Sequence, residues 1–370
     1  MKYIFILGRN VELSVEEVKA FLEKSEISFK IISKVSNGIL IEVDKKLENI
    51  VDKFGGVISV GEVIAEGNFK EISKQLDKQE LYFGKGNKLN YVIYDFKGKD
   101  FEDIQDYLKY RFKDEKLKAT EKKAGGRIKL QGGDYASKVS SNLIDEQFFV
   151  FENCFGKITE ICDYEKIEKR DMGKPVRREE LSISPRLAKI LINLSQVKEN
   201  ETLLDPFCGI GVVLQEALLQ NINVVGIDFD KKAIAGAKQN LKWFKFDEKN
   251  YKLINGDSSK IEIPKVSGIA TEPDLGELQK KNPSPEKAKE IILGFEKLII
   301  DVINNLKKNV NGKIVFTAPL VFSGKKKIAC DFKKIAKETN LKIEEGFPID
   351  EFRESSFIGR SVVVMRSFLN

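Results

Sequence analysis

Residues 201–241 read ETLLDPFCGIGVVLQEALLQNINVVGIDFDKKAIAGAKQNL. Leu203 and Leu204 form an apolar run that stops at Asp205, Gly209 and Gly211 close a turn behind it, and 212–219 carries the amphipathic pattern of a helix. A second apolar run, 224–227, stops at Asp228 and is followed by a helical pattern over 232–241. The order is βαβα with an acidic residue at the tip of each strand. Glycines in such a turn let the backbone approach a ligand where a Cβ would clash, and a carboxylate about 20 residues further on can accept both hydroxyls of a ribose. The unit therefore predicts a nucleoside pocket.

Working outward, the 370 residues are too many for a single core, and two or three domains are expected. An apolar content of 42% with 32% charged residues describes a soluble globular chain, and no apolar run approaches the ~20 residues of a membrane span. The N-terminal MKYIFILGRNVELS lacks the cleavage pattern of a signal peptide, so a cytoplasmic protein without membrane contact is expected. Cys154, Cys162, Cys208 and Cys330 form no C-x-x-C pair, which argues for free thiols over a disulfide framework or a zinc ribbon. The chain has no histidine, which excludes a Ser-His-Asp triad, imidazole metal ligation and imidazole general-base chemistry. Carboxylates, Lys, Tyr and thiols remain as proton acceptors. The net charge of +6 falls entirely within residues 181–370, because acidic and basic residues balance over the first 180. Any nucleic-acid contact must then come from local patches.

At the N-terminus, 2–7 predicts a strand and 14–26 a helix capped by Ser14. Residues 29–35 and 39–43 predict two strands joined by a turn in which Asn37-Gly38 supplies the positive φ. A short helix over 47–54 and a strand over 57–65 complete a β-α-β-β-α-β ferredoxin-like unit, 1–66. The pattern restarts in 67–162 with a helix (70–76), a strand (89–96), a helix (101–112) and a strand (117–122). A basic Gly-Gly turn at 124–130, a helix over 134–143 and strands over 148–151 and 157–162 follow. Lys122, Lys123, Arg127 and Lys129 cluster around that turn as candidate phosphate contacts. Residues 163–180, charged throughout and centred on Gly173-Lys174-Pro175, read as a linker or lid in which Arg170, Lys174, Arg177 and Arg178 could also meet phosphate.

From 181 onward Ser184 caps a helix that Pro185 opens, the quoted unit follows, and a third strand tip at 251–254 leads into Asp257-Ser258. A fourth strand, 268–271, ends in Glu272-Pro273-Asp274-Leu275. A helix over 287–306, a strand over 313–318, a helix over 328–338 and closing strands at 341–344 and 361–365 finish the domain.

Asp205-Pro206-Phe207-Cys208-Gly209-Ile210-Gly211 places an acid before the glycine turn where dinucleotide dehydrogenases have G-x-G-x-x-G. It resembles motif I of class I S-adenosylmethionine methyltransferases, in the DPFCGxG form of enzymes that methylate exocyclic amines of nucleic-acid bases. The stretch SPRLA at 184–188 is similar to the corresponding segment of tRNA guanine-N2 methyltransferases. The α/β module before it, with its basic Gly turn, resembles a THUMP domain, which grips the acceptor end of tRNA. The whole chain thus resembles the THUMP-containing tRNA guanine-N2 methyltransferases that modify the guanosine at position ten. The resemblance implies an α/β fold: a ferredoxin-like domain (1–66), a THUMP-like domain (67–162), a linker (163–180) and a class I, Rossmann-like, seven-stranded methyltransferase domain (181–370). It implies S-adenosylmethionine held by Asp205, Pro206, Phe207, Gly209, Gly211, Asp228, Phe229, Asp257 and Ser258. It also implies tRNA as partner, no metal, and leaves an accessory protein subunit open.

In that family the fourth strand ends in D-P-P-Y, whose first side chain and a following carbonyl accept hydrogen bonds from the amine while the ring stacks on the flipped base. Here Glu272, Pro273 and Asp274 stand at the catalytic positions and Leu275 replaces the ring. The longer Glu272 side chain moves the carboxylate by about 1 Å, a displacement that can cost ~10²-fold in rate, and the lost ring forfeits roughly 1–3 kcal/mol of stacking unless Phe207, Phe322 or another aromatic replaces it. Three readings follow from the residues: a guanine-N2 methyltransferase with a rebuilt pocket, a methyltransferase acting on another RNA base, and an RNA-binding pseudoenzyme.

Overall fold

Strand periodicity is clearest at Phe148, Phe149, Val150 and Phe151, four consecutive apolar residues that are all fully buried. Phe148 and Val150 enter one core cluster while Phe149 and Phe151 enter another, so this strand is covered on both faces. In this computed structural model the described residues are 1–122, 127–129, 135–137, 144–178, 183–276, 282–324, 326–352 and 357–367. Contacts divide the chain into a unit of residues 1–15, 26–52 and 56–163 and a unit of residues 16–25, 53–55 and 164–370.

Along the first part of the chain run β1 (Lys2–Leu7), α1 (Val11–Lys24), β2 (Phe29–Val35), β3 (Gly38–Val43), β4 (Val57–Glu66), α2 (Phe69–Leu76) and β5 (Lys88–Phe96). They are followed by α3 (Phe101–Asp114), β6 (Lys118–Glu121), β7 (Arg127–Lys129), β8 (Tyr135–Ser137), β9 (Glu146–Phe151) and β10 (Cys154–Ile161). One eight-stranded sheet, ordered β2-β3-β1-β4-β10-β9-β5-β6, takes in strands from both 1–66 and 67–162, because β10 pairs antiparallel with β4. Ile72 and Leu76 of α2 and Ile104, Leu108 and Phe112 of α3 pack with Tyr91, Phe148 and Phe155 on one face of it. Asn68 and Glu71 form a reciprocal cap at the start of α2.

Several local expectations change. Helix α1 starts earlier than Ser14: Asn10 Oδ1 accepts the Leu13 amide at 3.2 Å, and the buried Ser14 donates its hydroxyl back to the Asn10 carbonyl at 2.7 Å. The positive φ of the β2–β3 turn falls on Ser36 (φ 52°), while Asn37 is buried and donates its side-chain amide to the Leu7 carbonyl. The helix expected over 47–54 shrinks to a 3₁₀ turn, Val51–Lys53, because the Ile50 and Val51 amides both donate to Glu160 Oε2 at 2.8 Å. Within the helix expected over 134–143, residues 135–137 form β8, paired antiparallel with β7, and the rest lies outside the described residues. Residues 164–173 of the expected linker form a helix.

The second unit contains α4 (Tyr164–Gly173), α5 (Pro185–Ser195), β11 (Thr202–Asp205), α6 (Val212–Leu218), β12 (Asn223–Asp228), α7 (Lys231–Trp243) and β13 (Tyr251–Asn255). Then come β14 (Gly268–Thr271), α8 (Pro285–Leu306), β15 (Ile314–Ser323), β16 (Lys326–Ala329), α9 (Phe332–Thr339), β17 (Lys342–Ile343), β18 (Ile349–Glu351) and β19 (Ile358–Arg366). Ser184 Oγ accepts the Leu187 amide and Pro185 opens α5. The main path of the sheet is β13-β12-β11-β14-β15-β19-β17, with β16 flanking β15 and β18 flanking β19. Strands β13 to β15 are parallel, and β19 inserts antiparallel beside β15. Strand β16 takes the first residues of the helix expected at 328, which begins at Phe332 instead. The chain passes from β11 through α6 to β12 on one side and later returns as β14 on the other, which makes the β11/β14 junction a topological switch point. All four cysteines are buried free thiols. Among the described residues no helix is long and apolar enough to cross a membrane.

Candidate active site

At the switch point, three parallel strands deliver their carboxyl ends and the acid each carries: Asp205 on β11, Asp228 on β12 and Glu272 just past β14. The turn after β11 needs glycine at both expected positions. Gly209 has φ +51° and a Cβ there would meet nothing within 4 Å, so the turn opens onto free space. Gly211 has φ +86°, and a Cβ would crowd Ala237 at 3.3 Å where α6 passes α7.

Asp228 Oδ2 accepts the Gly209 amide and Oδ1 the Asp230 amide, both at 2.9 Å, so the second strand's acid braces the first strand's turn. Each oxygen keeps acceptor capacity, as a carboxylate offers about four lone-pair sites. Asn255 donates to the Asp228 and Phe229 carbonyls at 2.9 and 3.0 Å, and Phe229 stands 79% exposed beside them. An exposed ring beside a carboxylate with free acceptor capacity is an apolar face on which a nucleobase can stack. Ser258 is buried, with its hydroxyl donating to the Pro206 carbonyl at 2.6 Å, and it helps to hold the DPFCGxG turn. Asp257 closes an Asx turn: Oδ1 accepts the Ser259 amide and hydroxyl, Oδ2 pairs with Lys260 at 3.0 Å, and these bonds draw its carboxyl down to about 2.

Asp205 is buried, and its Oδ1 accepts the Thr271 hydroxyl at 2.5 Å and the Phe207 amide at 3.1 Å. Burial pushes its carboxyl up to about 7, the neighbouring Asp228 and Glu272 charges add to the rise, and the two hydrogen bonds oppose it. Glu272 pairs with Arg360 of β19, whose Nε donates to Oε1 and whose Nη2 lies 3.4 Å from Oε2; the Thr317 hydroxyl of β15 adds a 3.4 Å contact to Oε1. Pro273 is buried and Asp274 is exposed, its carboxylate accepting the Gly276 amide at 2.9 Å. Leu275 packs against the domain core, as does Phe207. Phe322 packs against Phe352 with the ring centroids 5.3 Å apart and the planes tilted by 53°. Burial raises the thiols of Cys154 to about 11 and Cys330 to about 12 and lifts Cys208 as well, which leaves them as poor nucleophiles.

Residues 174–287 match the UPF0020 family model, described as an RMKL-like methyltransferase domain. Over 309 residues the chain is 27% identical to the tRNA (guanine(10)-N2)-dimethyltransferase of Methanocaldococcus jannaschii, covering 77% of this chain and 85% of that protein. The chain is thus similar to tRNA guanine-N2 methyltransferases along most of its length and carries a methyltransferase-type domain over 174–287. It is also 38% identical over 96 residues to the enzyme of that name from Methanothermobacter thermautotrophicus, a match covering 26% of this chain and 28% of the relative's length. The corresponding match in Pyrococcus abyssi is 34% identical over 118 residues and spans 33% of that relative. Among solved structures, TrmN from Thermus thermophilus superposes with a TM-score of 0.52 at 12% identity over the whole of both chains, a likeness of fold alone.

The described part of the expected linker, 164–178, is bound to the rest of the second unit. Arg170 grips the buried Glu216 of α6 at 2.7 Å, and Arg178 pairs with Asp230, the cap of α7, at 2.5 Å. Between them Asn240 Oδ1 accepts the Val176 amide while its Nδ2 lies 3.0 Å from the Val176 and Ile210 carbonyls. Val176 also presses on Gly236, where a Cβ would come within 3.0 Å. Arg170 is thus occupied by a carboxylate, and Arg177 is half-buried. Lys122 is exposed, Arg127 and Lys129 lie in β7, and Lys123 lies outside the described residues. Among the described residues no group of three or more Cys, Asp or Glu side chains is placed to hold a metal ion. Sequence reasoning missed Thr271, Thr317, Arg360 and Asn240, and it assigned Arg178 to phosphate where the structure pairs it with Asp230. Only Thr271 left a usable signal, as the last strand residue before the EPDL segment.

Proposed function

We infer that the protein is an S-adenosylmethionine-dependent tRNA methyltransferase that methylates the exocyclic N2 amine of a guanosine, of the position-ten type. The observation that carries this reading is the convergence of Asp205, Asp228 and Glu272 at one switch point, with the Gly209 turn opening onto free space. The residues fit the donor. Asp228 offers its remaining lone pairs to the ribose hydroxyls, Phe229 offers a ring face to the adenine, and Asp257 reaches the adenine amine with the oxygen now in an exposed pair with Lys260, a pair that costs little to open. When bound, the donor supplies a methyl group on a positively charged sulfonium.

Glu272 accepts a hydrogen bond from the guanine amine and aims its lone pair, and the proton released on N-methylation passes to Glu272, Asp274 or water. Catalysis comes chiefly from orientation, since an in-line displacement at a sulfonium methyl needs no metal and no imidazole. Lys122, Lys123, Arg127 and Lys129 are the candidate phosphate contacts with which residues 1–165 hold tRNA, and Arg177 is a separate candidate in the segment 163–180.

The deciding experiment incubates the purified protein with S-adenosylmethionine and a tRNA transcript carrying guanosine at position ten, followed by nucleoside mass spectrometry. N2-methylated guanosine is expected. A different methylated nucleoside overturns the choice of target atom; no methylated nucleoside from any tRNA, with donor binding intact, makes the protein an RNA-binding pseudoenzyme.

A further inference from the structure

Resting on the methyl-transfer reading above, we propose that Arg360 is the positioning residue of the acceptor site, holding the Glu272 carboxylate so that Oε1 is filled and Oε2 is presented to the amine. The argument starts from the acceptor inventory. Oε1 takes the Arg360 Nε and the Thr317 hydroxyl, whereas among the described residues Oε2 has only the Nη2 contact at 3.4 Å. The two oxygens of one carboxylate are therefore unequal, and the free capacity lies on Oε2.

The restraint comes from rigid elements. Arg360 pairs with Pro319 across the β15–β19 ladder, and Thr317 lies two residues earlier on the same β15 strand, so both donors project from hydrogen-bonded backbone. The Glu272 side chain is only 10% exposed, and it follows a strand that Thr271 fastens to Asp205. A guanidinium suits this task because its planar fork fixes a carboxylate in angle as well as in distance, which a lysine ammonium cannot do. Glu272 is flexible by one methylene more than aspartate, and the Arg360 fork removes that freedom. Arg360 also supplies a positive charge beside an acid whose field reaches Asp205.

The test is a double-mutant cycle read by single-turnover methyl transfer at saturating donor and tRNA, with donor affinity measured by calorimetry. Arg360→Ala is expected to lower the transfer rate constant about 10- to 100-fold, as misplacement near 1 Å does, and to leave donor affinity within about twofold. Arg360→Lys should recover part of that loss. In a Glu272→Ala background the same Arg360→Ala change should cost less than about twofold, because nothing remains to be positioned. Removing Arg360 alone leaves a poorly solvated carboxylate, so the folding-safe arm is Arg360→Lys, which keeps the charge without the planar fork and should by itself lower the transfer rate constant with donor affinity intact. An equal cost of Arg360→Ala in both backgrounds, or none in either, overturns the positioning role while the enzyme reading stands. A parent protein that transfers no methyl group to any tRNA overturns the enzyme reading and this one together.

Discussion

The tips of β12 and β14 carry acids of similar chemistry in different mechanical settings. Asp228 is held by backbone amides close to it in the chain, those of Gly209 and Asp230. Glu272 is held by side chains from Arg360 and Thr317, the former 88 residues away. Backbone donors at a turn come with the motif itself, so the Asp228 side of the switch point, to which the proposal assigns the methyl donor, travels as one local unit. The acceptor side is assembled from three strands and can drift residue by residue, which is where the EPDL segment departs from D-P-P-Y.

Mutations at the two tips should separate these roles. The largest effect is expected from Glu272→Ala, about 10²-fold in methyl transfer with donor affinity unchanged, and Glu272→Gln should lose far less because one carbonyl acceptor survives. Single-turnover kinetics with calorimetry check this, and equal losses in the two variants would mean that charge rather than orientation matters at β14. Next comes Asp228→Ala, which should weaken donor binding by about 1.5–3 kcal/mol, roughly 10- to 100-fold, and leave tRNA affinity alone. If the donor binds equally well without the carboxylate, the contrast between the tips collapses.

The smallest effect on function concerns Asp205, which lies between them and whose signature is in stability rather than in binding or transfer. Its carboxyl titrates at about 7 in the folded chain against an ordinary 3.8. The unfolded chain releases this proton near pH 4, so the stability contributed by the protonated group is fully present below that pH and is lost as pH rises through about 7, a span worth on the order of 3–4 kcal/mol. Asp205→Asn removes the titration. Its melting temperature should therefore fall less than the parent's between pH 5 and pH 8.5, by roughly 2–4 °C for each kcal/mol recovered. A parallel fall in both proteins would place the titration elsewhere.

Features set by short-range pattern were legible in advance. The βαβα unit, the Gly209–Gly211 turn, the Ser184-Pro185 start of α5 and the free thiols all follow from spacing within a few residues. The helix expected over 47–54 was misread because its amides meet Glu160, a partner about a hundred residues on that no local pattern announces. The charged segment 163–180 looked like a solvated linker because its composition does not reveal that Glu216, Asn240 and Asp230 stand ready to receive it.

The sequence by itself determined the βαβα unit at the switch point: an acid, a glycine turn and a second acid at fixed spacing carry their own backbone geometry, since turn conformation and strand period are local properties. Tertiary structure alone decided what each polar group does with its charge. Whether Glu272 meets solvent or Arg360, whether Arg170 meets phosphate or Glu216, and whether Asp205 keeps its proton depend on burial and on partners from distant strands and helices. Electrostatic free energy is set by distance and solvent access in three dimensions, and neither is written in the order of residues.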